Sequence, residues 1–526
     1  MTRPTQLAAR SAEITLADVF RRSARIFADR VALAAEDTRL TYRELDENAN
    51  RLANALVGLG LRRGDRIAVL SEPHPGYATT YVAAAKVGIT VVALNIRLHP
   101  DELRGCVDGA SPRLLFTSGA YAETAIQVRG GTSVLDQVIC FDGRRDGCDD
   151  VAELTAAGAA ADPDTEVGAE DIHNILYTSG TTGPPKGAMI SQRAAAARAL
   201  RIAQYFELGP DDGFVGWLPL YHCGGDESLY ATLMTGGKFY PVPRAEPERL
   251  FRAIADERLT WTLLLPGVIT DFLHHPKRED YDLSSLRFAF GYANMMPQVV
   301  RELTKATGIT YYDAFGQTET SYLVAYGKIP PGTEPSLRKT PTPLLDVRVV
   351  DDELREVPVG TPGECVVRGP GVMSGYLDDP QATEEVFRGG WLHTGDVLVR
   401  NEDGTLTFTD RKKYLIKTGG ENVYPAEVEQ VIAAHEAVQE VCVFGVPDER
   451  WGETVKAAVV LLPGRTATEA EIANWCRDHL AGYKRPRYVQ FMRAEEMPRS
   501  ATGKLLRHEL AALPVTDEQR VEGARP

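Results

Sequence analysis

Residues 177–187 read YTSGTTGPPKG, with hydroxyl side chains at Thr178, Ser179, Thr181 and Thr182, glycines at Gly180, Gly183 and Gly187, two prolines and one lysine, Lys186. This is poor material for a buried helix or strand and good material for holding phosphate. Glycine lets backbone N–H groups approach an anion closely, the hydroxyls donate to its oxygens, and the lysine adds a mobile positive charge. The apolar run at 171–177 predicts a strand, and the Ala/Arg/Leu-rich stretch at 189–202 predicts a helix. The loop is therefore expected where a strand hands over to a helix, a favourable place for an anion. Spacing excludes the P-loop of nucleotide triphosphatases, because Gly183 is followed by Pro184, Pro185, Lys186 and Gly187 where that motif needs Gly-Lys-Ser/Thr. A plain surface turn uses the same small residues but needs neither the lysine nor so many donors.

Such a loop needs a large scaffold, and 526 residues with 44% hydrophobic content can bury several cores. A net charge of −15 argues against nucleic acid or an anionic membrane as the main partner. The seven cysteines are scattered singly with no CxxC pair, which indicates neither a disulfide framework nor a zinc site. A reducing cytoplasm is the expected setting. No stretch approaches the roughly 18 apolar residues of a membrane span, and the N-terminal thirty lack a basic region followed by an apolar core, so a soluble, unexported protein is expected.

Amphipathic helices are predicted over 16–27 and 42–59. Strands over 66–70, 90–94 and 113–117 alternate with helices over 77–87 and 100–107, the pattern of a parallel α/β sheet. Strands over 262–265 and 288–291 predict a second such unit. Residues 142–170, rich in Gly, Ala and Asp, read as a surface connection. From 346 the pattern changes to short β-rich segments at 346–350, 363–368, 397–401 and 405–409, which predict a small antiparallel β-barrel or sheet. A last unit, with helices over 425–434 and 469–479 and strands over 438–444, 456–462 and 488–492, predicts a small α+β domain.

Five further polar clusters accompany the loop: WLPLYHCGG at 217–225, YYDAFGQTET at 311–320, GWLHTGD at 390–396, DRKKYLIKTGGENVYPAEVE at 410–429 and PRSATGK at 498–504. Six motifs in this order resemble the adenylate-forming superfamily, which includes acyl-CoA synthetases, aryl-CoA ligases, peptide-synthetase adenylation domains and firefly luciferase. The resemblance runs from about residue 16 to 510 and is nearest to the acyl- and aryl-CoA ligases. It implies a large N-terminal ATP- and acid-binding domain over 1–411, of two α/β subdomains plus a small β-barrel. It also implies a mobile C-terminal α+β domain over 412–526, hinged near Lys413, and residues 511–526 are expected to form a disordered tail.

By this resemblance Thr178, Ser179, Gly180, Thr181, Thr182, Gly183 and Lys186 hold ATP phosphates. The stretch Asp313, Ala314, Phe315, Gly316 and Gln317 contacts the adenosine, together with Gly291, Tyr292 and Ala293. Thr318 touches the α-phosphate, and Glu319, with Thr182, holds magnesium, although a loop glutamate is otherwise simply solvated. Asp396 offers two acceptor oxygens to a ribose diol, with Arg411 beside it. Lys504, on a loop, stabilises charge as the carboxylate attacks the α-phosphorus. The small domain then turns to exchange Lys504 for the segment around Lys417, Gly419 and Gly420, which passes the pantetheine of CoA. Displacement at phosphorus is a matter of positioning and charge neutralisation and needs no protein nucleophile.

Tyr221, His222, Cys223, Gly224, Tyr292 and Gly316 are expected to line the acid pocket. His222 reads as a gate and not a base, since a carboxylate is already ionised at neutral pH. Tyr292 and Asn294 depart from the family pattern; an inward Tyr292 shortens the tunnel and favours a small or compact aromatic acid. Lys339 stands where relatives carry glycine, a change expected to alter local loop contacts without touching the chemistry. The resulting expectation is an ATP-dependent acid–CoA ligase using Mg2+ and CoA, with a small-molecule acid as partner and a homodimer left open. The rival expectation is an adenylating enzyme that passes its product to an amine, a carrier protein or, through nitrite activation, an aryl amine.

Overall fold

The computed structural model describes residues 13–178, 185–291, 297–418, 421–448, 451–499, 505–516, 519 and 521. Contacts divide the chain into two compact units, Met1–Val347 with Val367–Leu392, and Arg348–Val366 with His393–Pro526.

The first unit carries two large sheets. One has the strand order Gly375–Tyr376, Lys186–Ser191, Ile172–Thr178, Thr90–Ala93, Arg66–Leu70, Leu114–Thr117, Gln137–Cys140, Asp149–Asp150. Its centre is parallel, with Ile67 opposite Val91 on one side and Leu114 on the other. These strands are buried along their length, as a sheet covered by helices on both faces requires. The connection expected over 142–170 supplies the edge strand Asp149–Asp150 and the helix Val151–Ala156, which Asp150 caps by accepting from the Ala152 N–H.

The second sheet also has a parallel centre, through Gly213–Gly216, Trp261–Leu263, Phe288–Gly291 and Thr310–Gln317. Thr310–Gln317 then turns back antiparallel into Ser321–Ile329. Phe206, Trp261, Phe288, Phe290 and Tyr312 pack as an aromatic core on this sheet. The two parallel-centred sheets bear out the α/β fold expected of the large region.

One local expectation is corrected. The phosphate loop does not join a strand to a helix, because Lys186–Ser191 is itself a strand, antiparallel to Ile172–Thr178. The helix Gln192–Tyr205 begins only after it, where the Ser191 hydroxyl accepts from the Ala194 N–H. Met189 and Ile190 were read as helical by composition, yet they pair with Ile175 and Asn174 across the sheet. The strand Lys186–Ser191 therefore stands in the chain between the loop and the N-terminus of that helix.

In the second unit the strands Leu392–Arg400 and Leu406–Arg411 are antiparallel, with Asp396 opposite Arg411. Its terminal sheet holds Glu421–Val423, Ile416–Thr418, Gly452–Leu461 and Val438–Asp448, with Tyr488–Phe491 parallel to Gly452–Leu461. The helices Pro425–Ala433 and Glu469–His479 bury Val428, Ile432, Ile472 and Cys476 against it. Within the stretch expected to be a disordered tail, Val521 packs into this core at 5% exposure and its N–H donates to the Arg487 carbonyl. No helix among the described residues is long and apolar enough to cross a membrane.

Candidate active site

The ends of the phosphate loop are set by strand pairing, with Thr178 directly opposite Lys186. The Thr178 hydroxyl donates to the Lys186 carbonyl at 3.3 Å, and the Tyr177 hydroxyl anchors the strand to the Cys106 carbonyl at 2.8 Å. Lys186 is left 41% exposed, with Nζ 5.3 Å from the centre of the Tyr376 ring and 3.9 Å from Asp379. Ser179, Gly180, Thr181, Thr182 and Gly183 lie outside the described residues. Gly187 was read as letting backbone approach phosphate, but a side chain there would meet Ile175 at 2.9 Å and Leu377 at 3.3 Å. Its smallness serves packing within the sheet.

Asp313, Ala314 and Phe315 sit in the buried strand Thr310–Gln317, so only Thr318, Glu319 and Thr320 form the turn before Ser321–Ile329. The Tyr376 hydroxyl donates to Glu319 Oε1 at 2.9 Å, and the Glu319 carbonyl accepts from the Met373 N–H at 2.9 Å. Lys186 and Glu319 thus meet on one tyrosine. The Glu319 carboxylate is a hard-oxygen group of the kind magnesium takes alongside substrate phosphates. Gly316 admits no side chain because the Ser321 carbonyl occupies that space. Ser321 adopts φ 92°, a left-handed value that costs a non-glycine residue free energy.

The turn is held from behind by a buried polar network absent from the sequence reading. Arg198, Arg201, Asp226 and Glu227 are all at most 2% exposed. Glu227 pairs with Arg198 at 2.9 Å and accepts the Ser321 hydroxyl. Arg201 donates to the Thr320 carbonyl at 3.3 Å, and Arg198 to the Gly371 carbonyl at 2.7 Å. Burial pushes both acids upward, Asp226 furthest, because the neighbouring Glu227 adds a like charge. Burial lowers Arg201 to about 10, which leaves it charged at neutral pH. The only sequence signals were acids at 226 and 227 in a helix otherwise rich in apolar residues, and arginines at a helical spacing of three.

The acid-pocket motif comes close to this turn: Thr318 Oγ1 lies 4.0 Å from Cys223 Sγ. His222 stands at the N-terminal cap of the helix Cys223–Thr235, its ring 4.6 Å from that of Tyr221. Burial, with the Arg97 charge adding to it, lowers His222 to about 4. The ring is neutral at physiological pH. Burial pushes the Cys223 thiol well up, against the thiolate form. A side chain at Gly224 would meet Leu218 at 2.8 Å and Leu263 at 3.3 Å, and one at Gly291 would meet Leu264 and Tyr311. Both glycines, read as facing ligands, are small to allow packing. Tyr292 and Ala293, and with them the reading of the tunnel length, lie outside the described residues.

Lys339 requires a correction. It was expected to disturb only loop contacts, yet Lys339 Nζ lies 2.5 Å from Asp313 Oδ2 with both side chains fully buried. The residue that departs from the family pattern is the charge partner of a residue inside the adenosine motif.

In the second unit Asp396 Oδ1 lies 2.9 Å from Arg411 Nε, the pair set by strand register. Gly395, at φ 69°, turns the chain so that the Thr394 hydroxyl both accepts from the Asp396 N–H and donates to the Cys365 carbonyl. Lys417 is exposed on the strand Ile416–Thr418, its N–H donating to Glu453. Gly419, Gly420 and Lys504 lie outside the described residues. Close to Lys504 in sequence, Arg507 pairs with Glu429 at 2.7 Å, which anchors the helix Arg507–Ala511.

Residues 20–377 match the AMP-binding enzyme family, and residues 427–504 match the AMP-binding enzyme C-terminal domain. A feruloyl-CoA synthase of Amycolatopsis sp is 33% identical over 491 residues, covering 93% of this chain and 97% of its own. An indoleacetate–CoA ligase of Aromatoleum aromaticum is 34% identical over 492 residues, covering 92% and 95%. Among solved structures, the anthranilate CoA ligase AuaEII in complex with anthranoyl-AMP superposes with a TM-score of 0.84 at 26% identity, covering 94% of this chain and 96% of its own.

Proposed function

The chain belongs to the AMP-binding enzyme family and is an ATP-dependent acid–CoA ligase, and from that premise we propose that its acid is aromatic and that magnesium-bound ATP is held by the residues around Tyr376. The observation that carries the reading is the meeting of Lys186 and Glu319 on Tyr376. One side of that tyrosine supplies a cation for phosphate oxygens, and the other supplies a carboxylate for a metal. A triphosphate with its magnesium needs both within reach.

The substrate carboxylate attacks the α-phosphorus and the bond to the β-phosphate oxygen breaks, giving an acyl-adenylate and pyrophosphate. The CoA sulfur, losing its proton, then attacks the acyl carbon and AMP departs. Bound magnesium would neutralise charge on the leaving pyrophosphate. Thr318 donates to the α-phosphate, and Asp396, beside Arg411, receives the ribose hydroxyls. Lys504 stabilises the first transition state. Lys417 and the glycines after it serve the thioester step. No protein atom becomes bonded to substrate.

Support for an aromatic acid comes from two sources. The pocket motif presents Tyr221 and an uncharged His222, flat groups suited to stacking on a ring. The relatives named above carry the names of ferulate, indoleacetate and anthranilate ligases. The test is a panel of aromatic, short-chain and long-chain acids, read as pyrophosphate release with and without CoA. AMP and acyl-CoA formed fastest from an aromatic acid are expected. ADP as product would overturn the mechanism, and a preference for long-chain acids would overturn the substrate class.

A further inference from the structure

We infer that Glu227, together with Arg198 and Arg201, is a positioning device for the Thr318–Glu319 turn, acting through Ser321. This rests on the reading of Thr318 and Glu319 as contacts to ATP and its metal. The turn has a geometric problem to solve. At Gly316 the backbone runs so close to the Ser321 carbonyl that no side chain fits, and Ser321 itself is held at φ 92°. A non-glycine residue keeps such a conformation only where its surroundings over-determine it. Here they do: the Ser321 hydroxyl donates to Glu227, and the same hydroxyl accepts from the Leu323 N–H at 3.3 Å. One residue earlier, the Thr320 carbonyl accepts from Arg201 at 3.3 Å, while the Thr320 N–H closes the turn onto the Gln317 carbonyl at 3.0 Å.

The network also reaches the other support of Glu319. Arg198, paired with Glu227, donates to the Gly371 carbonyl, two residues before Met373, whose N–H holds the Glu319 carbonyl. Tyr376, whose hydroxyl donates to the Glu319 side chain, follows in the same segment. Glu227 is therefore the shared partner of the two strands of chain that fix Glu319, one through Ser321 and one through Arg198. A purely structural charge cluster would have no reason to end on a strained residue and on the carbonyls flanking one carboxylate.

The test compares Ser321→Ala with Ser321→Gly in the full-length enzyme, since both leave the Glu227–Arg198 pair intact. Alanine keeps the strain and loses the hold, whereas glycine accepts a positive φ without strain. Ser321→Ala is expected to lower the rate of pyrophosphate release about tenfold, the low end for loss of a hydrogen bond to a charged group. It should also raise the magnesium concentration for half-activation, while reaction of supplied acyl-adenylate with CoA stays within about twofold. Ser321→Gly should recover a large part of the loss. Calorimetry of ATP binding supplies the readout besides activity: alanine should weaken binding with magnesium and leave binding in EDTA unchanged. Equal behaviour of the two variants in the magnesium titrations, or wild-type magnesium dependence in Ser321→Ala, would overturn the inference. If the wild-type enzyme releases no pyrophosphate with any acid, the ligase reading fails instead, and the calorimetric comparison still decides the role of Glu227.

Discussion

Replacing Lys339 by Met isolates the buried charge that the adenosine motif depends on. Lys339 and Asp313 are both fully buried, 2.5 Å apart, so neither charge has water to fall back on. Removing Lys339 takes away the cation 2.5 Å from a buried carboxylate, and breaking such a pair typically destabilises by about 3–5 kcal/mol. Against a total stability of about 5–15 kcal/mol for a domain, that is a large fraction. The loss should concentrate in Thr310–Gln317, which carries Asp313 in the middle of the second sheet. The double variant Asp313→Asn/Lys339→Met removes both charges, and exchanging a buried pair for uncharged groups is often close to neutral. A coupling energy of about 2 kcal/mol or more is therefore expected. Hydrogen exchange read by mass spectrometry over residues 310–317 measures the opening free energy where it matters, without assuming that a two-unit chain unfolds in one step. Single variants that lower protection by less than about 1 kcal/mol, or whose effects simply add in the double variant, refute the argument. In that case the pair would be a conformation of no energetic weight.

Two further outcomes follow from the site. Lys504→Ala is expected to slow adenylate formation by about 10²–10³-fold, the usual effect of deleting a transition-state charge stabiliser, while supplied acyl-adenylate still reacts with CoA at close to the wild-type rate; equal loss in both half-reactions would contradict separate roles for Lys504 and Lys417. For His222 the folded pKa lies near 4, below the ordinary 6.5, because burial disfavours the charged ring. It therefore contributes stability that is present above pH 6.5 and is lost as pH falls through the interval down to about 4. His222→Asn should flatten the acid side of the melting-temperature profile while leaving the pH dependence of pyrophosphate release between pH 6 and 8 unchanged. A rate limb in that interval that disappears in the variant would make His222 a titrating catalyst.

Much of the proposed site was legible because it resides in residue types at short spacing. The Thr318-Glu319 pair, Asp396 after Thr394-Gly395 and Lys186 after a run of hydroxyls are local patterns, and strand periodicity placed the parallel sheets around them. The helix expected directly after the phosphate loop failed for a non-local reason. Residues 189 and 190 have apolar character that suits either element, and only the antiparallel partner at 172–178 makes them a strand.

The glycines mark the sharper boundary. Gly187 was expected to let backbone approach phosphate, Gly224 to line the acid pocket and Gly291 to contact the adenosine; at each, the space a side chain would need is taken by a neighbouring part of the protein. Composition reveals that a side chain is excluded, and only the tertiary neighbour reveals what excludes it. The same limit hid the contacts of Tyr376 with Glu319, of Glu227 with Ser321 and of Lys339 with Asp313, each between residues far apart in sequence. Of these, Lys339 is the most instructive, because its sequence signal was visible as a departure from the family pattern and was assigned to a loop. A lysine that replaces a small residue in an otherwise preserved region needs a buried acid within reach or a path to solvent. Asp313 met the first condition. Departures of charge type near a site are therefore best paired, at the sequence level, with acids inside the site's own motifs before they are assigned to the surface.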